Sequence, residues 1–353
     1  MKKHNKKIIA CVALLLTIVL AASSCGSSGG KSPGGQGGGG ASAPIVLKLT
    51  SDAPENHIAT ELNHGACDKI KERTNGRVEV QYYGSSQLGS YETTYPELVT
   101  GSIDIGQFTI PDANDARFSA PYIPYYATSY DEAKILYATD SYMSKVFKDL
   151  CASDDVRFLG WVIEGFDGMG VVTEPTDVFT PGTPKTIKVR SPGLTAFRYM
   201  LEDLGYNPIA VAYSEVPTAI QTKVVDGWLG GTPNMNYAWV GDILTQMYIT
   251  YANVEATCYV ISEKSLAKLS DEDREIVIKV FEEQSALSIE RAEENDEIYK
   301  KKLEENGVEV IEFTREQLAA NAAFVREKTW TRLESAWSAE LIADFRAEAA
   351  KLG

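Results

Sequence analysis

One arginine in this chain stands where it could hold a carboxylate. Arg190 lies near the end of the β-branched run I-K-V-R-S-P (187–192), just before a proline. A guanidinium fixed on a rigid strand presents paired N–H donors that match the two oxygens of a carboxylate. Further on, V-A-Y-S-E-V-P-T-A-I-Q-T-K-V-V-D-G (211–227) begins as an aromatic and acidic turn and continues as a short helix from Val216 to about Val225. Glu215 stands at the mouth of that helix, where an acid serves equally as an N-terminal cap. Other candidates come from loops that follow expected strands: Asn56 and His57, Gln87 and Tyr91, Gln107 and Phe108. Trp161 and Glu164 stand where the chain leaves its first half, either lining a cleft or forming a hinge.

The elements that must position these residues alternate. Ile45–Thr50 reads as a strand, 58–73 as a helix stopped by Asn75-Gly76, and Val78–Tyr82 as a second strand. Helix 91–100 and strand 103–108 follow, then a proline-rich loop, a helix over 131–150 and a strand over 157–162. Strands at 170–173, 186–190 and 208–211 repeat the pattern. Strand–helix alternation at this spacing predicts an α/β fold with a mostly parallel sheet and ligands at its carboxyl ends. Ser270-Asp-Glu-Asp caps a helix that reaches Asn306-Gly307, about 50 Å long at 1.5 Å per residue and longer than one small domain. A strand over 308–313 and amphipathic helix over 316–351 complete the chain.

The first residues point to export. Residues 1–24 carry four lysines, an apolar stretch from Ile8 to about Leu20, and small residues before Cys25. That pattern is a secretion signal, too short for a membrane span. Cys25-Gly26 resembles the lipobox of bacterial lipoproteins, with Ala22 where leucine is more usual, so lipidation at Cys25 is expected. Residues 25–43, rich in glycine and serine, form a tether from a lipid-anchored end on the outer side of the membrane. Without residues 1–24 the formal net charge moves from −15 to −19, which excludes nucleic acid as an expected partner. Cys67, Cys151 and Cys258 have no metal-site spacing; one bridge fits the count, and three buried free thiols are the expected state.

Several separated segments together resemble the extracytoplasmic solute receptors of TRAP transporters, the DctP type. They are E-R-T-N-G-R-V-E-V (72–80), Y-Y-G-S-S-Q-L-G (82–89), V-T-G-S-I-D-I-G (99–106), I-K-V-R-S-P (187–192), Leu204-Gly205, Y-S-E-V (213–216), T-A-I-Q-T-K-V-V-D-G (218–227), S-E-K (262–264) and L-S-D-E-D-R-E (269–275). The likeness covers nearly all of 45–350. It implies a two-lobed periplasmic-binding-protein-like fold, type II-like, with a hinge and a long inter-lobe helix. The lobes are expected at 44–167 with 256–295 and at 168–255 with 296–353. The resemblance implies closure on one small organic acid and its delivery to an ion-gradient-driven permease, by a monomer without a cofactor or metal.

By the same resemblance Arg190 pairs with the ligand carboxylate, Tyr213 floors the cleft, Glu215 is the motif acid and Trp228 faces the cleft. Two departures stand out. Gly230 and Gly231 replace a polar pair after V-D-G, with Asn234 and Asn236 a few residues on. Met169 stands where many members carry a second arginine. Fewer charged donors point to a monocarboxylate with an apolar or aromatic portion. The alternatives are an ABC-type binding lipoprotein or a ligand-sensing subunit. A secreted hydrolase is disfavoured: there is no G-x-S-x-G or H-E-x-x-H, and only three histidines.

Overall fold

The computed structural model describes residues 43–352. The expected signal, Cys25 and all of the tether except Ala43 lie outside them. Nine strands form one sheet: β1 Ile45–Ser51, β2 Val78–Tyr83, β3 Ile105–Phe108, β4 Val156–Val171, β5 Lys188–Ser191, β6 Asn207–Ala210, β7 Gly227–Gly231, β8 Gln246–Ser262 and β9 Glu309–Glu312. Their order is β2-β1-β3-β8-β4-β7-β5-β6, with β9 on β8.

The expectation of a mostly parallel sheet holds in the wings and where β9 joins β8. β1 pairs in parallel with β2 and β3, and β5 with β6 and β7. The middle is antiparallel, because β4 and β8 are long strands that cross the molecule in opposite directions. β4 joins what reads in sequence as two strands, 157–162 and 170–173. Its glycines do not end it. Register against β8 shifts at Phe158/Gly160, Ile163/Gly165 and Phe166/Gly168, and Gly160 and Gly165 have φ of 152° and 136°. Such bulges bend a strand without breaking it.

The helix Asp271–Glu305 is capped by Ser270 and ends at Asn306, as its sequence predicts. It lies behind β4 and takes up the backbone donors that the bulges free. Ser288 Oγ accepts from Ile163 N at 2.9 Å, and Asp296 accepts from Phe166 N at 3.0 Å. A Cβ at Gly160 would come 2.6 Å from Ser285 Oγ, so this strand and helix fit together only through the glycines. The helix Ile58–Arg73 has the predicted bounds, with His57 as its N-cap. The expected helix over 131–150 is instead two, Tyr130–Leu136 and Tyr142–Ser153, because Ser129 and Ser141 each cap a fresh start. The region 316–351 divides likewise at Ser338 into Arg315–Ala336 and Ala339–Ala349. Cys67, Cys151 and Cys258 are all free thiols; Cys67 is only half-buried.

Candidate functional site

A cavity opens beside Arg190, walled by β3, β4, β8 and the residues after β1 on one side and by β5, β7 and the segment 192–197 on the other. Arg190 is 1 % exposed. Strand β5, pinned between β6 and β7, fixes its backbone. Its Nε donates to Val211 O at 2.9 Å and its Nη1 to Leu229 O at 3.3 Å. The guanidinium lies 5.9 Å from the Trp228 ring. Among the described residues no carboxylate comes within ion-pair distance of it, so it is not the cation of a structural salt bridge. Burial pulls its pKa below the usual arginine value, as expected of a charge with no local counter-ion. Gly230, at φ 96°, passes close by; a Cβ there would sit 3.3 Å from Nη1.

The opposite wall is a hydrogen-bonded chain. Ser51 Oγ donates to Gln107 Oε1 at 2.6 Å, and Asn63 Nδ2 adds a donor at 3.3 Å. This fixes the Gln107 amide toward Thr257 Oγ1 (2.6 Å) and Glu164 Oε1 (3.2 Å). Thr257 in turn donates to Glu164 Oε1 at 2.6 Å. His57 Nδ1 accepts from Ala59 N at 3.2 Å, so its proton sits on Nε2, 3.4 Å from Glu164 Oε2. Burial lowers the His57 pKa to about 3, and the ring is neutral. Burial, then the nearby Glu255, raises Glu164 well above the usual carboxylate range.

Glu255 and Asp52 also line the cavity. Glu255 accepts from Tyr122 Oη at 2.9 Å, and burial followed by Asp167 raises its pKa strongly. Asp167 is fully buried against Glu255, the two carboxyls within hydrogen-bonding reach of one another, and burial lifts it to about 7. Asp52 accepts from Ser86 Oγ at 2.7 Å and from Tyr91 N at 3.1 Å; burial outweighs these bonds and raises it to about 6. Tyr213 lines the cavity, its buried hydroxyl unbonded.

The candidates from sequence divide. Arg190, Tyr213, Gln107, Phe108, Tyr91, Glu164 and Gly230 line the cavity. Trp228 does not face it: the side chain is wholly buried beneath Arg190, its Nε1 donating to Asn236 at 2.8 Å. Trp161 is core, packed on Phe147 and Phe158 and bonded to Ser144. His57 serves the wall from behind. Gln87 and Asn56 are exposed loop residues, and Glu215 is exposed and caps nothing with its side chain. Asn234 is buried, accepting from Ile58 N at 3.3 Å and donating to Asn56 O at 3.4 Å, so it links two parts of the fold. Met169 lines a separate cavity with Met200 and Phe313, because the bulge at Gly168 turns it away. Asp52, Tyr122, Pro192, Leu194, Phe197, Met235, Glu255 and Thr257 line the site without having been singled out. Pro192 and Leu194 directly follow the arginine motif; the acids carry no local signal.

Among the described residues, no cluster of three histidine, cysteine or acidic side chains is placed to hold a metal, and no helix is long and apolar enough to cross a membrane.

The sequence signature of the bacterial extracellular solute-binding proteins, family 7 (DctP), matches residues 50–332. A solute-binding protein of Chromohalobacter salexigens is 24% identical over 251 residues, covering 69% of this chain and 72% of that one. The sialic acid-binding periplasmic protein SiaP of Vibrio cholerae is 24% identical over 244 residues, with 68% and 74% covered. A TRAP periplasmic solute-binding protein of Sulfurospirillum deleyianum, solved with succinate, superposes with a TM-score of 0.77 at 21% identity, covering 86% of this chain and 99% of that one. The fold is therefore the two-lobed α/β architecture of those proteins, and the chain belongs to the DctP family of bacterial extracellular solute-binding proteins.

Proposed function

We propose that this protein captures a small monocarboxylate beside Arg190 and delivers it to the membrane subunits of a TRAP permease, working as a lipoprotein tethered through Cys25. The observation that carries this reading is a fully buried arginine, held by two backbone carbonyls, with no acid of the described residues within ion-pair distance. Burying an unpaired charge costs several kcal/mol, which a ligand carboxylate would return in a dry cleft. Relatives and structural neighbours support the ligand class: one relative is named for sialic acid, and solved neighbours hold succinate, D-erythronate or orotic acid, all carboxylic acids. The single arginine and the aromatic lining favour one carboxylate over two.

In this reading 44–167 with 256–295 form one lobe and 168–255 with 296–353 the other, with β4 and β8 as the hinge. A ligand touching both lobes favours the closed form through differential affinity. The test is to denature the purified protein and identify the released small molecule by mass spectrometry, then titrate it into the wild type and Arg190→Ala. A released carboxylic acid that binds the wild type and not the variant supports the reading; equal affinity for both would refute it.

A further inference from the structure

We infer that the cleft selects a monocarboxylate bearing a cationic nitrogen, the carboxylate on Arg190 and the nitrogen between Glu164 and Glu255. This rests on the carboxylate reading of Arg190 and specifies the ligand's other end.

The charge inventory is lopsided. Among the described residues Arg190 is the only cation lining the cavity, against three carboxyl groups, Asp52, Glu164 and Glu255. A second ligand carboxylate away from Arg190 would meet these acids, with no second cation to hold it. Each acid is partly satisfied and keeps acceptor capacity. Glu255 accepts from Tyr122, itself held by Thr109 at 2.6 Å, and also meets the Asp167 carboxyl. Glu164 Oε2 has only the 3.4 Å contact from His57 Nε2, whose geometry leaves that nitrogen without a hydrogen bond. Both acids are at least 95 % buried, and the fully buried Asp167 lies behind Glu255. Clustered acids so placed hold protons they would otherwise release. An ammonium group arriving among them takes the place of such a proton, which leaves to solvent as the carboxylate pairs with the ligand nitrogen.

The side-chain amides in and behind the walls are committed to the protein. Gln107 is bonded at both ends of its amide, Asn234 to Asn56 and Ile58, and Asn236 to Trp228 and Gly231. The rest of the wall is largely aromatic: Tyr91, Phe108, Phe197 and Tyr213. Rings with carboxylates attract a cation through their quadrupoles, where they give little to an anion or a hydroxyl.

The test is calorimetric titration of the full chain with γ-aminobutyrate, its trimethylammonium analogue, γ-hydroxybutyrate, pentanoate and glutarate, plus homologues one carbon shorter and longer. The cationic members are expected to bind roughly ten- to a hundredfold tighter than the neutral or dianionic ones. That ratio should fall toward unity in Glu255→Gln and in Glu164→Gln, each first checked for cooperative melting; the wild-type ratio decides the matter if either fails to fold. Equal or tighter binding by a neutral or dianionic member, still lost in Arg190→Ala, overturns this inference and leaves the carboxylate reading standing. A series in which no cationic member binds also overturns it. Binding indifferent to Arg190→Ala overturns both.

Discussion

The two walls of the cleft spend their polar groups in opposite ways. On the β1–β3 side, Ser51, Asn63, Gln107, Thr257 and Glu164 bond to one another in a chain backed by His57. On the β5–β7 side, Arg190 gives two donors to carbonyls and keeps the others, Tyr213 has an unbonded hydroxyl, and Gly230 offers no side chain. A saturated network defines shape and rigidity, since any new partner must displace an existing bond. A group that is held and still unsaturated can recognise a ligand at no such cost. The first wall is therefore mainly scaffold, open at Glu164 Oε2, and the second keeps free donors beside Arg190.

Substitutions can break that contrast. The largest effect is expected from Arg190→Ala, which should weaken carboxylate binding by about two to three orders of magnitude in calorimetric titration. Equal loss in a wall residue such as Thr257→Val would erase the distinction. Gln107→Leu should act through stability instead, lowering the urea unfolding free energy of the ligand-free protein by ~3 kcal/mol as Ser51, Asn63 and Glu164 lose partners.

The seam between the walls answers to pH. Asp296, buried behind β4, is lifted to about 7 chiefly by burial, so the folded state keeps a proton that the unfolded chain has released. Its contribution to stability is present below the ordinary pKa of 3.8 and is lost as pH rises through about 7. This group should add up to ~1.4 kcal/mol lost per pH unit in that window to what the other raised acids contribute, and Asp296→Asn should lessen the slope of the unfolding free energy by that share. Gly230→Ala should cost about 1 kcal/mol, seen as a several-fold weaker affinity, since its φ of 96° disfavours a side chain and the Cβ would press on Nη1. Smallest is Asn234→Ala, whose two bonds are long; titration should show an affinity change of no more than about threefold.

Much of the scaffold was legible from end signals. Helix 58–73 is bounded by His57 and Asn75-Gly76, and helix 271–305 by Ser270 and Asn306-Gly307. The crossing strands were not. β8, M-Y-I-T-Y-A-N-V-E-A-T-C-Y-V-I-S after Gln246, is buried almost throughout on both faces, so it lacks the alternation that marks a strand. In β4, E-G-F-D-G-M-G reads as a turn, and only the partner helix shows that its glycines are bulges. The site followed the same division. Arg190 and Gly230 stand in a recognisable motif, whereas Glu255 and Asp52 meet it through folding alone. Gln87, Asn56 and Glu215 followed a motif or a strand end, yet their side chains face solvent. Position near a strand end does not fix which way a side chain points.

Trp228 gives the molecule an optical consequence. Its indole is wholly shielded from solvent, clamped through Nε1 to Asn236, and lies 5.9 Å from the Arg190 guanidinium. Indole emission depends on the electric field across the ring. A carboxylate settling on Arg190 cancels part of that field while water exposure stays the same. The protein thus carries its own spectroscopic gauge of occupancy, and a colour shift that vanishes in Trp228→Phe would read ligand arrival directly.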